Sequence, residues 1–157
     1  MVIELFTDGA SSGNPGPGGY GAILRAGQHY KELSEGFRKT TNNRMELLAV
    51  IKGLEAIKNP NQDVILYSDS KYVIDAIEKR WVYGWLQKGF KDKKNKDLWL
   101  RYLEVSKPHK IKLVWVKGHA GHPENERCDQ LAVAASKQPK LLIDTVFEAE
   151  NARVNLL

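Results

Sequence analysis

Residues 5–24, "LFTDGASSGNPGPGGYGAIL", decide how the first part of the chain folds. From Gly16 they contain the G-x-G-x-x-G spacing of a dinucleotide-binding turn, which must lead into a helix whose N–H groups bind the pyrophosphate. Here a strand-like segment follows, and Pro15 and Pro17 remove two backbone donors from the loop. The stretch therefore predicts a Gly/Pro connection between adjacent strands, which leaves Asp8 at the end of the first strand unexplained.

Outward from this stretch, apolar residues recur with the periods of strands and helices. The predicted strands are residues 2–7, 20–27, 29–37, 63–69 and 110–116. The predicted helices begin at Asn42 and Ser70 and cover 81–88, 97–106 and 122–137. This order predicts an α/β fold with a mixed five-stranded sheet, three antiparallel strands followed by two parallel ones, flanked by helices.

The composition limits the class of protein. A chain of 157 residues with 42% hydrophobic and 27% charged residues is typical of one globular domain. The single cysteine, Cys128, excludes an internal disulfide, and no Cys/His cluster has zinc spacing. The N-terminus "MVIELFTDG" does not have the pattern of a signal peptide, and no apolar run approaches the ~18 residues of a membrane span. We therefore expect a cytoplasmic protein without membrane contact.

Four carboxylates lie where the apolar pattern directs them toward the interior. Asp8 and Asp69 each end a predicted strand, and neighbouring strands of one polarity bring such ends together. Glu46 shares a helix face with the apolar residues four, eight and eleven positions further on, and Asp129 lies beside the apolar run that begins at Leu131. The pattern predicts that four different elements deliver a carboxylate to one edge of the core.

Local structure offers an alternative for each carboxylate taken singly: a turn at Asp8, a helix cap at Asp69, a capping box between Asn43 and Glu46, and an ion pair of Asp129 with Arg127 or a lysine. A shared site explains them better together, because buried carboxylates without compensation are costly and a cluster of them implies bound cations. Oxygen ligands without His or Cys favour Mg²⁺, or Mn²⁺ in its place, over zinc. Two such ions about 3.5 to 4 Å apart support in-line phosphoryl displacement, the chemistry of nucleases and polymerases.

His119 lies in "KGHAGHPENE", between Gly118 and Gly121. A histidine on such a loop is commonly only solvated, whereas in a metal hydrolase it is a candidate to shuttle a proton for the water or the leaving group. His122 has the same two interpretations, but Pro123 fixes it against the start of a helix.

The positive charge is concentrated in residues 79–96, "KRWVYGWLQKGFKDKKNK", which we call the basic segment. It holds seven Lys/Arg and one Asp, a net charge of +6 in a chain whose total is +5. Such a cluster predicts a polyanionic partner and steep salt dependence. Trp81 and Trp85 are four residues apart on one helical face, and they are typical either of packing against the body or of contact with a nucleic acid.

Four stretches resemble a bacterial type 1 ribonuclease H in order and spacing: "TDGASSGNPGPGGYG", "TTNNRMELLAV", "YSDSKYV" and "WVKGHAGHPENERCDQLA". The resemblance covers residues 1–137 and implies a ribonuclease H-like fold with that range as the catalytic domain. It further implies a Mg²⁺-dependent endonuclease that acts as a monomer, with two ions per active site. Such an enzyme cuts the RNA strand of an RNA–DNA hybrid to leave 3′-hydroxyl and 5′-phosphate ends. For the tail, residues 138–157, we expect partial disorder because it has no clear period.

The resemblance also implies roles for individual residues. Asp8 and Asp69 correspond to the main metal ligands, Glu46 to a carboxylate that helps hold one ion and orients water, and Asp129 to the residue that completes the second site. His119 corresponds to the loop histidine that assists product release or proton transfer.

Further residues correspond to substrate contacts of the family. The glycine-rich connection is implied to bring backbone close to the RNA strand, where Gly9, Asn14, Asn42 and Asn43 would read the 2′-hydroxyls. Thr41 and Asn95 resemble a pocket for a phosphate of the DNA strand. The basic segment resembles the family's basic protrusion, and its implied contacts are Trp81, Trp85, Lys88, Lys91, Lys93 and Lys94.

The chain departs from the family pattern in three places. Lys39 stands where an Arg often completes the phosphate pocket, so a bidentate fork is lost and the charge is kept. Lys71 stands where a Gln is usual, so a donor and acceptor becomes a donor only. The basic segment is a few residues short after Phe90. These departures concern affinity and hybrid geometry rather than metal chemistry.

Two other functions fit parts of the pattern. Another two-metal nuclease of this architecture, such as a resolvase or transposase core, would lack the asparagines implied to contact 2′-hydroxyls. A basic nucleic-acid-binding module would lack activity altogether. Cleavage of labelled RNA–DNA hybrid, RNA duplex and DNA duplex, with Mg²⁺ or with chelator, distinguishes all three.

Overall fold

A computed structural model describes residues 1–118 and 121–155, without the side chain of Asn155. Within these ranges five strands form one mixed sheet: β1 (Val2–Ser11), β2 (Gly16–Ala26), β3 (His29–Thr40), β4 (Asp63–Ser68) and β5 (Lys110–Trp115). Their order in the sheet is β3-β2-β1-β4-β5. The pairs β1–β2 and β2–β3 are antiparallel, whereas β1–β4 and β4–β5 are parallel. The predicted sheet is confirmed.

The same ranges hold six helices: α1 (Asn42–Glu55), α2 (Lys71–Glu78), α3 (Trp81–Gln87), α4 (Lys96–Ser106), α5 (Pro123–Ser136) and α6 (Thr145–Asn155). Pro123 opens α5 at its first position, where a missing N–H costs no hydrogen bond. No helix in the described part of the chain combines the length and the apolar character that a membrane crossing requires.

The two faces of β1 pack against different layers because its side chains alternate. Leu5, which is fully buried, belongs to the main core, where the sheet packs against α1, α2 and α4 around Trp99. Phe6 points the other way and packs with Ile23 and Cys128 beneath α5. Burial on both sides explains why this strand carries adjacent apolar residues.

The glycines of β2 and β3 have a packing role that the sequence analysis did not predict. A side chain at Gly19, Gly21 or Gly36 would overlap backbone carbonyl oxygens of α5. These glycines therefore let α5 lie close against the sheet, as glycine allows wherever two backbones approach. The connection between β1 and β2 is shorter than predicted, because β1 extends to Ser11 and β2 begins at Gly16.

The tail contributes structure that its sequence pattern does not predict. Residue Leu142 forms a parallel bridge with Phe37 at the edge of β3, and α6 follows. The exposed pair Arg38–Glu148 then connects β3 to α6 at 2.8 Å. The described part of the tail thus contacts β3 through Leu142 and Glu148, which its own periodicity does not indicate.

Candidate active site

Parallel pairing of β1 and β4 brings two aspartates side by side. Phe6 lies opposite Tyr67 at the end of this ladder, and Asp8 and Asp69 each follow two residues later. The sequence predicted that Asp8 ends its strand, and this prediction is wrong. β2 continues to pair with β1 beyond this point and places Gly21 opposite Asp8. Asp8 is therefore held by a rigid strand, whereas Asp69 comes directly after β4.

Glu46 reaches the same edge from α1 because Gly9 has no side chain. A Cβ at Gly9 would overlap the backbone of Met45 and Glu46. The absence of this atom lets the first half of α1 rest on β1 directly beside Asp8. Gly9 is buried, so in this structure it serves close packing at the site.

Asp8, Glu46 and Asp69 form what we call the carboxylate cluster: each offers an oxygen, and these oxygens lie within 4.8 Å of one another. Asp8 is 2% exposed and Glu46 is 6% exposed. The backbone N–H of Gly9 donates to Asp8 Oδ1 at 2.9 Å. Glu46 Oε2 is buried and has no hydrogen-bond partner among the described residues.

The surroundings of Glu46 oppose its ionisation. Burial raises the pKa of this carboxyl well above its ordinary value, and the charges of Asp8 and Asp69 raise it further. A bound cation would relieve both effects, and a buried carboxylate oxygen without a partner is the donor such a cation needs. Since the cluster contains oxygen donors only, it fits a hard divalent ion.

The structure shows which residues cap α1 and α2. Thr41 caps α1 by accepting from the N–H of Arg44, so Asn43 is not the cap. Ser70 caps α2 by accepting from the N–H of Val73, so Asp69 is not needed for this role.

Asp129 is not part of the cluster as the structure describes it. Asp129 lies on α5 and is exposed, whereas the sequence pattern directed it inward. The buried positions of this turn are Asn125 and Cys128, and Cys128 Sγ donates to Phe6 O at 3.3 Å. Arg127, which the sequence suggested as an ion-pair partner of Asp129, instead pairs with Glu32 at 2.8 Å. His119 lies outside the described residues.

Two of the predicted RNA contacts meet at the start of α1. Asn14 Oδ1 accepts from the backbone N–H of Asn42 at 3.2 Å, and both residues are exposed. Asn43 follows them and is also exposed. Asn42 and Asn43 begin the helix that carries Glu46, and Asn14 lies in the connection that follows the strand of Asp8.

Arg44 is a residue that our sequence analysis missed. Its side chain is 2% exposed, its backbone N–H donates to Thr41 Oγ1 at 3.3 Å, and its Nη1 donates to Asn95 Oδ1 at 3.3 Å. Asn95 is also held by Tyr72, whose hydroxyl accepts from Asn95 Nδ2 at 3.0 Å. Arg44 therefore connects both residues of the predicted DNA-phosphate pocket.

Two aspartates compensate the buried charge of Arg44. Asp97 accepts two hydrogen bonds at 2.7 and 2.9 Å, and Asp144 accepts two at the same distances. Burial alone would raise the pKa of Asp97, but Arg44 outweighs it and lowers this pKa. Thr40 Oγ1 donates to Asp144 as well, at 2.7 Å. The missed signals were a cation on the apolar face of α1 and an aspartate inside the apolar run "LLIDTVF".

The two tryptophans of the basic segment lie in different environments. Trp85 is half-buried and meets Trp99 edge to face, with ring centroids 5.9 Å apart, so it packs against the body. Trp81 is 47% exposed and has Lys79 Nζ 5.1 Å from its ring centroid. The lysines predicted to contact substrate are all exposed: Lys88, Lys91, Lys93 and Lys94. Of its two tryptophans, the segment thus keeps Trp81 on the surface together with its charges.

Two of the three departures from the family pattern are single lysines, and they lie on different elements. Lys39 is half-buried near the end of β3. Lys71 is exposed at the first turn of α2, with its Nζ 3.8 Å from the ring centroid of Trp115.

Comparison with known proteins gives a consistent result. The RNase H family model matches residues 1–137. A ribonuclease H of Desulforamulus reducens is 60% identical over 147 residues, which cover 90% of this chain and 92% of that protein. The crystal structure of LC9-RNase H1, a type 1 RNase H with the type 2 active-site motif, is similar with a TM-score of 0.75 and 33% identity, and covers 98% of this chain and 82% of that one. LC11-RNase H1 in complex with RNA/DNA hybrid shares the fold at a TM-score of 0.61 and 21% identity, over 85% of this chain and 95% of that one.

Proposed function

This chain belongs to the RNase H family and is an enzyme that cuts the RNA strand of RNA–DNA hybrids, and we propose that the carboxylate cluster is its catalytic centre. The observation that carries the proposal is the meeting of Asp8, Glu46 and Asp69 within 4.8 Å, with Glu46 Oε2 buried and without a partner among the described residues. Three carboxylates in such surroundings are far more stable with a cation than without one.

The ions we assign to this centre are two Mg²⁺, which Mn²⁺ can replace. Asp8 and Asp69 are the main ligands, Glu46 helps hold one ion and orients water, and Asp129 completes the second site from the surface of α5. When bound, such ions lower the pKa of water and stabilise the leaving oxygen. His119 assists product release or proton transfer in this proposal.

The fold holds the carboxylates of the cluster in position. The β1–β2 pairing fixes Asp8, and the close approach of α1 at Gly9 fixes Glu46 beside it. Burial and the two aspartates raise the pKa of Glu46, and a bound cation would lower it again, so metal binding favours deprotonation of Glu46.

Substrate recognition in this proposal uses surfaces on both sides of the cluster. Asn14, Asn42 and Asn43 lie together beside it and contact RNA 2′-hydroxyls, which distinguish RNA from DNA. Thr41 and Asn95, connected through Arg44, bind a phosphate of the DNA strand, with Lys39 nearby. The basic segment binds the hybrid backbone by charge.

Residues 1–137 form the catalytic domain in this proposal, and we expect a cytoplasmic monomer. Sedimentation velocity at micromolar concentration tests the monomeric state. A concentration-dependent dimer would contradict it.

A cleavage assay tests the proposed function directly. Labelled RNA–DNA hybrid, RNA duplex and DNA duplex are incubated with the protein in Mg²⁺ or in EDTA. We expect cleavage of the RNA strand of the hybrid in Mg²⁺ only, with 3′-hydroxyl and 5′-phosphate products. A hybrid that stays intact in Mg²⁺ at modest salt would overturn the proposal.

Substitution of the cluster separates chemistry from binding. Asp8→Asn or Asp69→Asn removes one ligand charge, and we expect turnover to fall by more than about 100-fold, since even groups behind the ligands contribute 10- to 100-fold. Binding of hybrid in Ca²⁺, measured by fluorescence anisotropy, should change little because the basic segment is intact. Equal losses of binding and turnover would argue against this division.

A further inference from the structure

Trp115 is an exposed tryptophan at the catalytic edge of the sheet. It is the last residue of β5, it lies opposite Ser68, and it is 43% exposed. The backbone N–H of Val116 donates to Ser68 O at 2.9 Å, which fixes this end of β5 against the residue that precedes Asp69. The backbone of Trp115 is therefore held opposite the residue that precedes Asp69.

The direction of the ring follows from the alternation of β5. Trp115 shares its face of the strand with Ile111 and Leu113, which pack against the main core. α2 packs against β5 on this side. The ring thus meets the first turn of α2, where Lys71 begins the helix.

Lys71 stands at an unfavourable position for the helix. The N-terminus of a helix carries a partial positive charge, so a cation in its first turn is destabilising. Its Nζ lies 3.8 Å from the centroid of Trp115, close enough for a cation–π interaction that offsets this cost. Among the residues that the structure describes, no carboxylate forms an ion pair with Lys71. A cation kept at this place without an acidic partner is available to an anionic ligand.

We propose that Trp115 is a positioning residue that holds the Lys71 ammonium for a phosphate of the RNA strand near the cleaved bond. The proposal rests on the proposed function, because it assumes that the hybrid lies across the carboxylate cluster. Lys71 follows Asp69 by two residues and begins α2, so the helix that carries it starts next to the cluster residue Asp69. Where a glutamine at this position would read hydrogen-bonding groups, the lysine contributes a point charge, and the ring limits where that charge can go.

Steady-state kinetics on a labelled hybrid at several salt concentrations test this role. The variants are Trp115→Leu, Lys71→Gln and the double variant, with Trp115→Phe as the conservative change. We expect Trp115→Leu to raise KM by about two- to five-fold, as the loss of an exposed cation–π contact allows, with kcat nearly unchanged. The double variant should be no worse than Lys71→Gln, because the ring acts only through the lysine.

The salt dependence gives a readout that a merely structural role would not change. Each phosphate contact contributes roughly −0.9 to the slope of log K against log salt on duplex DNA. Trp115→Leu removes no charge, yet it should flatten the slope toward that of Lys71→Gln, and Trp115→Phe should restore it. Tyr30→Leu is the matched control: Tyr30 is 55% exposed and lies near the β2–β3 turn, away from the cluster, so its loss should change neither KM nor slope.

Three results would overturn the inference while the wild-type enzyme still cuts hybrid: additive effects of Trp115→Leu and Lys71→Gln, an unchanged salt slope in Trp115→Leu, or no recovery in Trp115→Phe. Failure of the wild type to cut hybrid would instead overturn the proposed function. Thermal melting of each variant establishes that it is folded, which the exposure of Trp115 leads us to expect.

Discussion

Glu46 illustrates how a single residue depends on its surroundings. Its carboxyl is almost fully buried next to two aspartates, and its Oε2 has no hydrogen-bond partner among the described residues. In a metal-free protein this arrangement is destabilising, because the charged form loses hydration and meets like charges. The residue is therefore suited to binding a cation rather than to stabilising the fold.

The substitution Glu46→Gln tests whether the charge of Glu46 destabilises the metal-free protein. The carboxyl loses its proton near pH 4 in the unfolded chain and at a higher pH in the folded one, because burial and the two aspartates raise its pKa. Between these values the folded state binds more protons, so its stability falls as the pH rises. In EDTA at pH 7 the variant should gain about 1–3 kcal/mol, the usual cost of a buried polar group without a partner.

Urea unfolding in EDTA at pH 7 and near pH 4 measures this difference. At the lower pH the gain should shrink, since wild-type Glu46 is then protonated in the folded state and partly protonated in the unfolded one. An equal gain at both pH values would show that the charge of Glu46 is not the cause. Adding Mg²⁺ at pH 7 should stabilise the wild type more than the variant, because ligands that bind the folded state stabilise it by mass action.

At the scale of elements, Arg44 joins α1, α4 and the tail into one unit. Its guanidinium binds Asp97 at the start of α4 and Asp144 just before α6, while its backbone N–H binds the cap of α1. Removal of one partner from a buried pair leaves charge uncompensated, which costs more than the pair contributes. The network therefore makes the tail part of the folded enzyme.

Asp144→Asn tests this connection. We expect the free energy of unfolding to fall by about 3 kcal/mol, the lower end for a broken buried pair, because Asp97 still faces Arg44. Glu148→Gln is the matched control, since it removes the other tail carboxylate that pairs with the sheet but does so at an exposed site, and it should have little effect. Equal destabilisation in both variants, measured by urea unfolding, would argue against a special role for Asp144.

The basic segment makes a second prediction at this scale. Lys91→Gln, Lys93→Gln and Lys94→Gln together should weaken hybrid binding and flatten the salt slope by up to about 2.7, if each lysine contacts one phosphate. Turnover at saturating hybrid should change little, because none of these lysines lies in the carboxylate cluster. Anisotropy titrations between low and physiological salt measure the slope, and an unchanged slope would mean that these charges do not face the substrate.

At the scale of the whole molecule, α5 packs closely against the sheet because glycines of the sheet have no side chains. A side chain at Gly36 would overlap the carbonyl oxygen of Ala135, and one at Gly21 would overlap that of Cys128. Because α5 also carries Asp129, the distance between helix and sheet sets where this carboxylate stands relative to the carboxylate cluster.

Gly36→Ala should destabilise the protein by more than about 1 kcal/mol, the usual range for overpacking being 1–3. Gly84→Ala is the control: nothing lies within 4 Å of a Cβ there, and in the middle of α3 alanine is favoured over glycine by up to about 1 kcal/mol. Thermal melting of both variants should therefore give shifts of opposite sign. A neutral Gly36→Ala would mean that α5 can move away from the sheet without cost.

Much of the fold could be predicted because its signals are local. The helix that begins near Asn42 and the strand before Asp69 follow from apolar periodicity, and the proline at 123 marks the start of α5. The meeting of Asp8 with Asp69 could be inferred because parallel strands present their ends at one edge. The burial of Arg44 could not, because its partner Asp144 lies 100 residues away.

The sequence by itself determined the order of strands and helices, the acidic residues available for metal, and the position of the positive charge, because these depend on residue type and spacing. Only the tertiary structure decided that Gly9 places Glu46 against Asp8, that Thr41 and Ser70 rather than Asn43 and Asp69 cap their helices, and that Trp115 faces Lys71. Such contacts depend on the distance between elements far apart in the chain, and packing in three dimensions sets that distance.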